Sequence, residues 1–383
     1  MNNKRHNTQD GFTLIEIVVA IGVMAMVVVF AGTVFKTSIA SYRVATAQAE
    51  IMQKFRAITD QLNNDFRGLR KDAPLFIWFE LDPNDYNKRL DQIMFFADGD
   101  FQSTQIYDTT VNPIVPAASG SPVVSNLARI YYGQAWSIDP NYVLKDPCNL
   151  RPVDRVLSRR QHLYIANPDT PPRYAQFPLN TSGVLTIPAI LPIPVENDKY
   201  EHDTNSLSQW QAAVNDPVNG STNVGNIITG CFGNDTAFSY YRPNVNLAST
   251  NTLHLLMAEK VGSFSVQWSY SYINAGQEYV YWWPSISPDG SGSTTYSDFG
   301  PDLRSMVRNA FGFYFNTVAP VPSFTNWFSY IGAQGVYYPG SAGNLVTQKP
   351  VFPKAFKFTF TLYDSRGVFK DGQTFTHIVY LGD

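Results

Sequence analysis

The first part of the chain is a continuous apolar run. From Ile17 to Phe35 the sequence carries no charge, and Thr33 is the one polar side chain. These 19 residues would form a helix of roughly 30 Å at ~1.5 Å per residue, which matches the hydrocarbon core of a bilayer. The pattern therefore predicts a membrane-spanning helix close to the N-terminus.

Beyond this run, apolar residues continue at the spacing of one helix face. They follow one another at intervals of three, four or seven residues. The positions are Val44, Ile51, Phe55, Ile58, Leu62, Phe66 and Leu69. Gly68 and Pro74 predict the end of the pattern. We expect one continuous helix from Phe12 to about Lys71, with a transmembrane half over residues 12–35 and an amphipathic half over residues 36–72 whose apolar stripe rests on the rest of the protein.

Residues 73–383 form the remainder, a β-rich head. Short runs of β-branched and aromatic residues predict strands. They lie at residues 75–81, 92–98, 128–133, 160–166, 252–258 and 264–270. The clearest pattern is in residues 356–363, where Phe and Leu alternate with Lys, Thr and Tyr, and residues 373–381 return after a turn. This predicts a C-terminal hairpin with one buried face.

Long stretches rich in Pro, Asn, Ser and Gly separate these strands. They cover residues 104–125, 167–251 and 284–302. Residues 187–197 have three prolines within seven positions and cannot form a central strand. We expect the three stretches to be loop insertions on a smaller core. The sequence thus predicts an α+β fold, in which a long N-terminal helix packs on an antiparallel sheet with long loop insertions.

Composition excludes some functions. The net charge is −3, which argues against nucleic acid as a partner. Only 15% of residues are charged and 14% are aromatic, as in a loop-rich extracytoplasmic protein. The five histidines do not pair at ligand spacing, and there is neither a nucleophile-elbow motif nor a P-loop. We therefore do not expect an enzyme.

A few residues are candidates for chemistry in the head. Cys148 and Cys231 do not have zinc or redox spacing, but could form one disulfide in an oxidising compartment. Asp98 and Asp100 are weak candidates for calcium, since carboxylates in turns are ligands for that ion; otherwise no cofactor is expected. Acidic turn residues without a ligand role would produce the same pattern.

Two further clusters are more easily explained by structure. The aromatic run at residues 279–284 would suit a sugar- or protein-binding ledge, yet a buried strand or a subunit contact explains it equally. A basic group could meet an acidic neighbour, but we expect it to form a solvated face. Its members are Arg151, Arg155, Arg159 and Arg160.

The stretch before the apolar run reads GFTLIE, from Gly11 to Glu16, behind a short leader with Lys4 and Arg5. A secretory signal peptide cut near Ala31 would have a shorter apolar region, and a plain membrane anchor would not explain an acid at its entrance. The stretch resembles the class III signal of type IV pilins and type II secretion pseudopilins.

The resemblance implies a processing route and a role for each residue. Residues 1–11 would be a leader removed by a prepilin peptidase between Gly11 and Phe12, and the new amine of Phe12 would be methylated. Glu16 would pair with the Phe12 amine of a neighbouring subunit during filament assembly. The leader would stay in the cytoplasm and the head would lie in the periplasm, outside the bacterial inner membrane.

The C-terminal segment, residues 353–381, resembles the last strands of J-type pseudopilins and related minor pilins. The resemblance implies a pilin-like fold and a minor, tip-proximal subunit of a type II secretion pseudopilus. Its partners would be other pilins or pseudopilins, the prepilin peptidase and the inner-membrane assembly platform. A minor type IV pilin of a surface pilus and a membrane-tethered adhesion module are the alternatives.

Overall fold

The computed structural model describes most of the helix and the core of the head. The described residues are 12–79, 81–82, 85–108, 110–111, 115–117, 119–138, 144–165, 201, 206–216, 223, 242–247, 254–274, 277–283, 311–315 and 353–381. The predicted insertions at 167–251 and 284–302 therefore lie largely outside these ranges.

The first element is a helix of 54 residues, α1, from Leu14 to Arg67. Thr13 caps its N-terminus and Gly68 follows its last residue. Gly68 is required there because a Cβ at this position would lie 1.8 Å from the carbonyl oxygen of Asp98. The predicted single helix is confirmed, with ends within a few residues of those expected from the sequence. A second helix, α2, covers Leu207–Asn215.

Sixteen strands are described in the head. In chain order they are β1 (Leu75–Phe79), β2 (Leu81–Asp82), β3 (Asp85–Arg89), β4 (Gln92–Asp108), β5 (Val115–Pro116), β6 (Ser121–Gln134), β7 (Trp136–Ile138), β8 (Leu144–Lys145), β9 (Val156–Leu163), β10 (Asn244–Val245), β11 (Leu256–Glu259), β12 (Val261–Asn274), β13 (Gln277–Trp283), β14 (Phe311–Phe315), β15 (Ala355–Leu362) and β16 (Gln373–Tyr380).

Two antiparallel sheets dominate the head. The larger has the order β11-β9-β6-β4-β1-β14, with β5 paired to β4. The smaller has the order β13-β12-β15-β16. The predicted C-terminal hairpin is confirmed: β15 and β16 pair in continuous register from Ala355 opposite Tyr380 to Leu362 opposite Gln373. The fold is α+β, as the sequence predicts.

The amphipathic half of α1 packs on both sheets and shares their core. Ile51, Ile58, Leu62 and Phe66 are buried in one cluster with residues of the two sheets. The ring of Phe66 lies 4.3 Å from that of Phe95 in the larger sheet. Each such side chain contributes about 1.5–3 kcal/mol when it leaves water. The predicted stripe thus rests on the head, except that Val44, near its start, is exposed.

The expectation of a loop over residues 104–125 is wrong for most of that range. Strand β4 continues to Asp108, and β6 already begins at Ser121. The two strands pair as far as Tyr107 opposite Ser121. Buried and exposed side chains alternate along this part of β4, but one of the buried residues, Ser103, is polar. The sequence therefore does not show the alternation of apolar and polar residues that predicts a strand.

The basic group of Arg151, Arg155, Arg159 and Arg160 is not a solvated face. Only Arg151 is exposed. Arg155 is fully buried, and its Nη1 donates to Asp82 Oδ2 at 2.7 Å and to the carbonyl of Gly262 at 2.8 Å. Buried arginines need such partners, and these lie far away in sequence, where no local pattern reveals them.

Candidate functional site

The entrance of the apolar helix is a closed hydrogen-bonded cap. The backbone N–H and the hydroxyl of Thr13 donate to Glu16 Oε2 at 2.8 and 2.9 Å, and the Glu16 N–H donates to Thr13 Oγ1 at 3.4 Å. This reciprocal arrangement is a capping box, which satisfies two donors at a helix start. Within the described residues, Glu16 Oε1 accepts no hydrogen bond. The carboxylate therefore keeps capacity for a further donor.

The following part of α1 has no apolar partner among the described residues. Residues 12–45 are all exposed. An 18-residue window of this helix has a mean hydropathy of 2.8, and none of the window is buried. By length and composition the helix could cross a membrane. Since it is apolar on all sides, lipid or other helices must cover it.

The one polar side chain of the apolar run is satisfied inside the helix. The Thr33 hydroxyl donates to the Val29 carbonyl at 2.9 Å, and that of Thr37 donates to the Thr33 carbonyl at the same distance. Such bonds to the preceding turn leave no unpaired donor on the surface. Glu16, directly before the apolar run, is thus the charged side chain at the entrance of the span.

A buried polar cluster joins the other end of α1 to the larger sheet. Asp65 is 1% exposed and accepts hydrogen bonds from Arg159 Nε at 2.7 Å and Nη2 at 2.9 Å. The Tyr132 hydroxyl donates to the same carboxylate, and Gln61 Nε2 donates to Asp65 Oδ1 at 3.0 Å. We call Asp65, Tyr132 and Arg159 the helix–sheet cluster. Sequence reasoning missed Asp65, although it lies three residues after the core position Leu62.

The electrostatics of the helix–sheet cluster follow from burial and pairing. Burial, and then the charge of Asp65, raise the pKa of the Tyr132 hydroxyl well above its ordinary value. Burial alone would lower the pKa of Arg159, but the hydrogen bonds to Asp65 raise it. Tyr132 therefore stays a neutral donor and Arg159 a cation at all ordinary pH values. The cluster acts as a fixed polar joint.

A second polar contact ties α1 to the turn between β15 and β16. Glu50 Oε2 accepts from the Ser365 hydroxyl at 2.7 Å, and Lys54 Nζ donates to the Tyr363 carbonyl at 3.0 Å. Burial works to raise the pKa of Glu50, but bonds from Lys54 and Ser365 lower it below its usual range. The carboxylate is thus ionised and holds the turn against the helix at neutral pH.

Of the two candidate calcium ligands, Asp98 forms an ordinary ion pair. Asp98 lies 3.2 Å from Arg70 Nη1, and both Asp98 and Asp100 are exposed. Among the described residues there is no group of three or more His, Cys, Asp or Glu side chains that could hold a metal ion. Calcium binding remains a prediction.

The other candidate residues are only partly within the described ranges. Gly11, on the N-terminal side of the predicted cut, precedes the first described residue. Cys231 also lies outside the described residues, so its disulfide with Cys148 remains a prediction. The aromatic run at 279–284 falls mostly on β13, where the Trp282 side chain is half-buried. Whether that run is a contact surface also remains a prediction.

Comparison with known proteins identifies the N-terminal segment. The family model of the prokaryotic N-terminal methylation motif matches residues 6–32. The comparisons with curated proteins and with solved structures found no match. The chain therefore carries the prepilin-type signal of type IV pilins and pseudopilins, and this motif supports a structural subunit of the pilin or pseudopilin type.

Proposed function

We propose that the chain is a minor, tip-proximal subunit of a type II secretion pseudopilus. The observation that carries the proposal is the coincidence of three features: the methylation motif at residues 6–32, the capped Glu16 at the helix entrance, and an apolar helix with no cover of its own. A filament of parallel helices provides that cover. The motif implies other pilins or pseudopilins as partners, and a prepilin peptidase as the processing enzyme.

The proposed route begins with cleavage between Gly11 and Phe12 and methylation of the new Phe12 amine. Phe12 is 85% exposed at the tip of the helix, which is where an enzyme in the membrane would need it. Before the cut, Lys4 and Arg5 of the leader keep the N-terminus on the cytoplasmic side. After it, residues 12–35 hold the subunit in the bacterial inner membrane as a single span, with the head in the periplasm. From there the assembly platform would draw the subunit into the filament.

Glu16 would set the register of assembly. An unpaired carboxylate at bilayer depth costs about 2.5–3.5 kcal/mol, so it favours any position in which it meets a positive charge. The methylated amine of Phe12 on a neighbouring subunit is such a charge, and Oε1 of Glu16 is available to accept from it. Pairing of the two groups lowers the cost of both and fixes one helix relative to the next.

The size of the head supports a minor position. Residues 73–383 would be difficult to pack at every step of a thin fibre, whereas a subunit at the tip meets no neighbour above it. A minor type IV pilin of a surface pilus is the second candidate, because the same methylation motif serves both systems. Loss of secreted proteins from the medium on deletion of the gene favours the secretion role; loss of surface pili with normal secretion favours the pilus.

The processing step is tested with Gly11→Trp. A bulky side chain on the N-terminal side of the cut should block the peptidase, so an uncut precursor should accumulate and run above the mature band on a gel. Intact-mass analysis of the parent protein should give a chain that begins with methylated Phe12. A normally sized product from the variant would contradict the proposed cleavage.

The register role is tested with Glu16→Ala. The variant should remain in the membrane fraction, since the substitution removes a charge from the span, but its recovery in sheared filaments should fall severalfold. Val18→Ala is the matched control, as it shortens a neighbouring side chain without a change of charge. Equal incorporation of both variants would exclude Glu16 as the assembly determinant.

A further inference from the structure

The smaller sheet carries an unusual polar face on the side away from α1. On β15, Phe356, Phe358 and Phe360 point into the core with the helix, so the alternate residues point outward. Six neighbouring outward positions on three adjacent strands are serine or threonine, and the next row holds Gln267, Lys357 and Ile378. We call them the hydroxyl face: Ser263, Ser265, Thr359, Thr361, Thr374 and Thr376.

Strand register arranges this face in two rows. Ser263, Thr361 and Thr374 lie opposite one another across three strands. The Thr361 hydroxyl oxygen is 2.7 Å from that of Ser263 and 3.1 Å from that of Thr374. The second row follows two residues along each strand. Three hydroxyls joined by two hydrogen bonds retain one O–H group and most of their lone pairs. Ser263 and Thr361 are buried at the bottom of the first row, whereas Thr374 and Thr376 are exposed and can donate to and accept from a ligand.

The hydroxyl face is the floor of a groove. Asp85, Lys88 and Arg89 of β3 line the groove together with Gln267 and with five of the six residues of the hydroxyl face, all except Thr376. Arg89 is buried and donates to the Val266 carbonyl at 2.8 Å, and it also pairs with Asp91. Arg89 thus holds this wall of the groove against β12.

The charged residues at and beside the groove differ in their pairing within the described part of the chain. Lys88 pairs with Asp85 at 3.3 Å, and Arg89 pairs with Asp91. Lys357 continues the outward positions of β15 beside the second row, and no carboxylate pairs with it within the described residues. Its ammonium instead lies 4.8 Å from the centre of the Trp282 ring. Burial, and then repulsion by Arg89, lower the pKa of Lys357, so a negative partner would relieve an unfavourable environment.

We propose that this groove binds an acidic saccharide, with its hydroxyl groups on the hydroxyl face and its carboxylate on Lys357, which lies next to the groove opposite the lining residue Gln267. A sugar presents many hydroxyl groups that both donate and accept, which serine and threonine hydroxyls can match, and the Trp282 ring lies beside Lys357 at the edge of this site. A protein partner is disfavoured because interface cores are enriched in apolar and aromatic residues, whereas this floor is lined by hydroxyls. The proposal stands independently of the filament role, since the groove lies on the face opposite the helix.

The test measures binding of an oligogalacturonate to the purified full-length protein in non-ionic detergent by titration calorimetry. The methyl-esterified form of the same oligomer supplies the hydroxyl groups without the charge, and inorganic phosphate supplies charge without hydroxyl groups. We expect the acidic oligomer to bind and both controls to bind more weakly. Lys357→Met should weaken binding about tenfold and Thr376→Val about fivefold, as expected for a charged and a neutral hydrogen bond.

The matched control for the charge is Lys370→Met, which removes an exposed lysine from the turn before β16. It should bind the oligomer like the parent. Thr376 is exposed and lies opposite the lining residue Thr359, so its substitution by valine, a good strand former, should leave the fold intact.

Three results would each overturn the proposal. They are absence of binding, equal loss in the Lys357 and Lys370 variants, and equal affinity for phosphate and the acidic oligomer. If a cysteine at position 376 (Thr376→Cys) cross-links to another subunit in membranes, and oligogalacturonate does not prevent it, the face belongs to a protein neighbour and the saccharide is excluded.

Discussion

A substitution in the helix–sheet cluster tests whether buried ion pairing stabilises the contact between α1 and the head. Asp65→Asn keeps the size of the side chain but removes its charge. The two hydrogen bonds from Arg159, at 2.7 and 2.9 Å, would then meet an amide, which has one acceptor oxygen and a donor group in place of the second. Arg159 would be left as a cation in a largely buried site.

The expected cost follows from that arrangement. Removal of one partner from a buried ion pair typically destabilises a protein by about 3–5 kcal/mol, because the other charge stays buried without compensation. The Tyr132 hydroxyl, which is fully buried, loses its charged acceptor too, and this adds roughly 1 kcal/mol. We therefore expect the free energy of unfolding to fall by about 3 kcal/mol or more, a large part of the stability of an ordinary domain.

The assay is urea unfolding of the full chain in non-ionic detergent at neutral pH, followed by tryptophan fluorescence of the head. Asp154→Asn is the matched control, as Asp154 pairs with Arg151 at 2.7 Å but on the surface. That variant should unfold like the parent. The triple variant Asp65→Leu, Tyr132→Phe, Arg159→Leu should lose much less stability than Asp65→Asn, because it removes both charges together.

Two results would refute this reasoning. If Asp65→Asn unfolds at the urea concentration of the parent, the carboxylate does not compensate Arg159. If the triple variant is as unstable as the single one, the loss comes from packing at this position and not from an orphaned charge.

The remaining predictions concern the end of the helix and the C-terminal turn. Gly68→Ala should destabilise the head by roughly 1–3 kcal/mol, since its Cβ would overlap the Asp98 carbonyl, whereas Gly22→Ala, with nothing within 4 Å, should leave the urea midpoint unchanged. Burial would raise the pKa of Asp364, but the N–H groups of the turn, led by Phe369, hold it below its ordinary value. The stability it contributes is therefore present above the unfolded pKa of ~3.9 and lost as pH falls, so urea midpoints of the parent and of Asp364→Asn should differ at pH 7 and converge in acid. If the urea midpoints of the two proteins differ by the same amount at every pH, the pKa of Asp364 is not lowered in the folded state.

Much of the fold could be predicted because apolar residues recur at the spacing of a helix or of a strand along the chain. The long helix, its end near Gly68 and the hairpin of β15 and β16 each have one clear period of apolar residues. The second half of β4 was missed because Ser103, a polar residue, occupies a buried position. Local patterns assign polar residues to the surface, and a strand that breaks this rule is interpreted as a loop.

The buried ion pairs of the head could not be predicted, because the two members of each pair are distant in sequence. Asp65 meets Arg159 across 94 positions, and Arg155 meets Asp82 across 73. In each case the charge sits where a hydrophobic residue would be expected, and only the partner makes it tolerable. The spacing of Asp65 from Leu62 is a usable signal: a charged residue at a core position of an amphipathic helix indicates a buried pair.

The place where α1 leaves the head bears on the choice between a simple membrane anchor and a filament subunit. Burial of α1 against the head begins at Ala47, so 33 residues, or about 50 Å of helix, extend beyond it. A bilayer core covers ~30 Å, which leaves residues 36–46 outside the hydrocarbon. Ile39 and Tyr42 in that segment are 53% and 69% exposed. A simple anchor has no use for apolar side chains in this aqueous stretch, whereas neighbouring helices of a filament would cover them. The length of the free helix therefore favours assembly over anchoring as the purpose of the N-terminal segment.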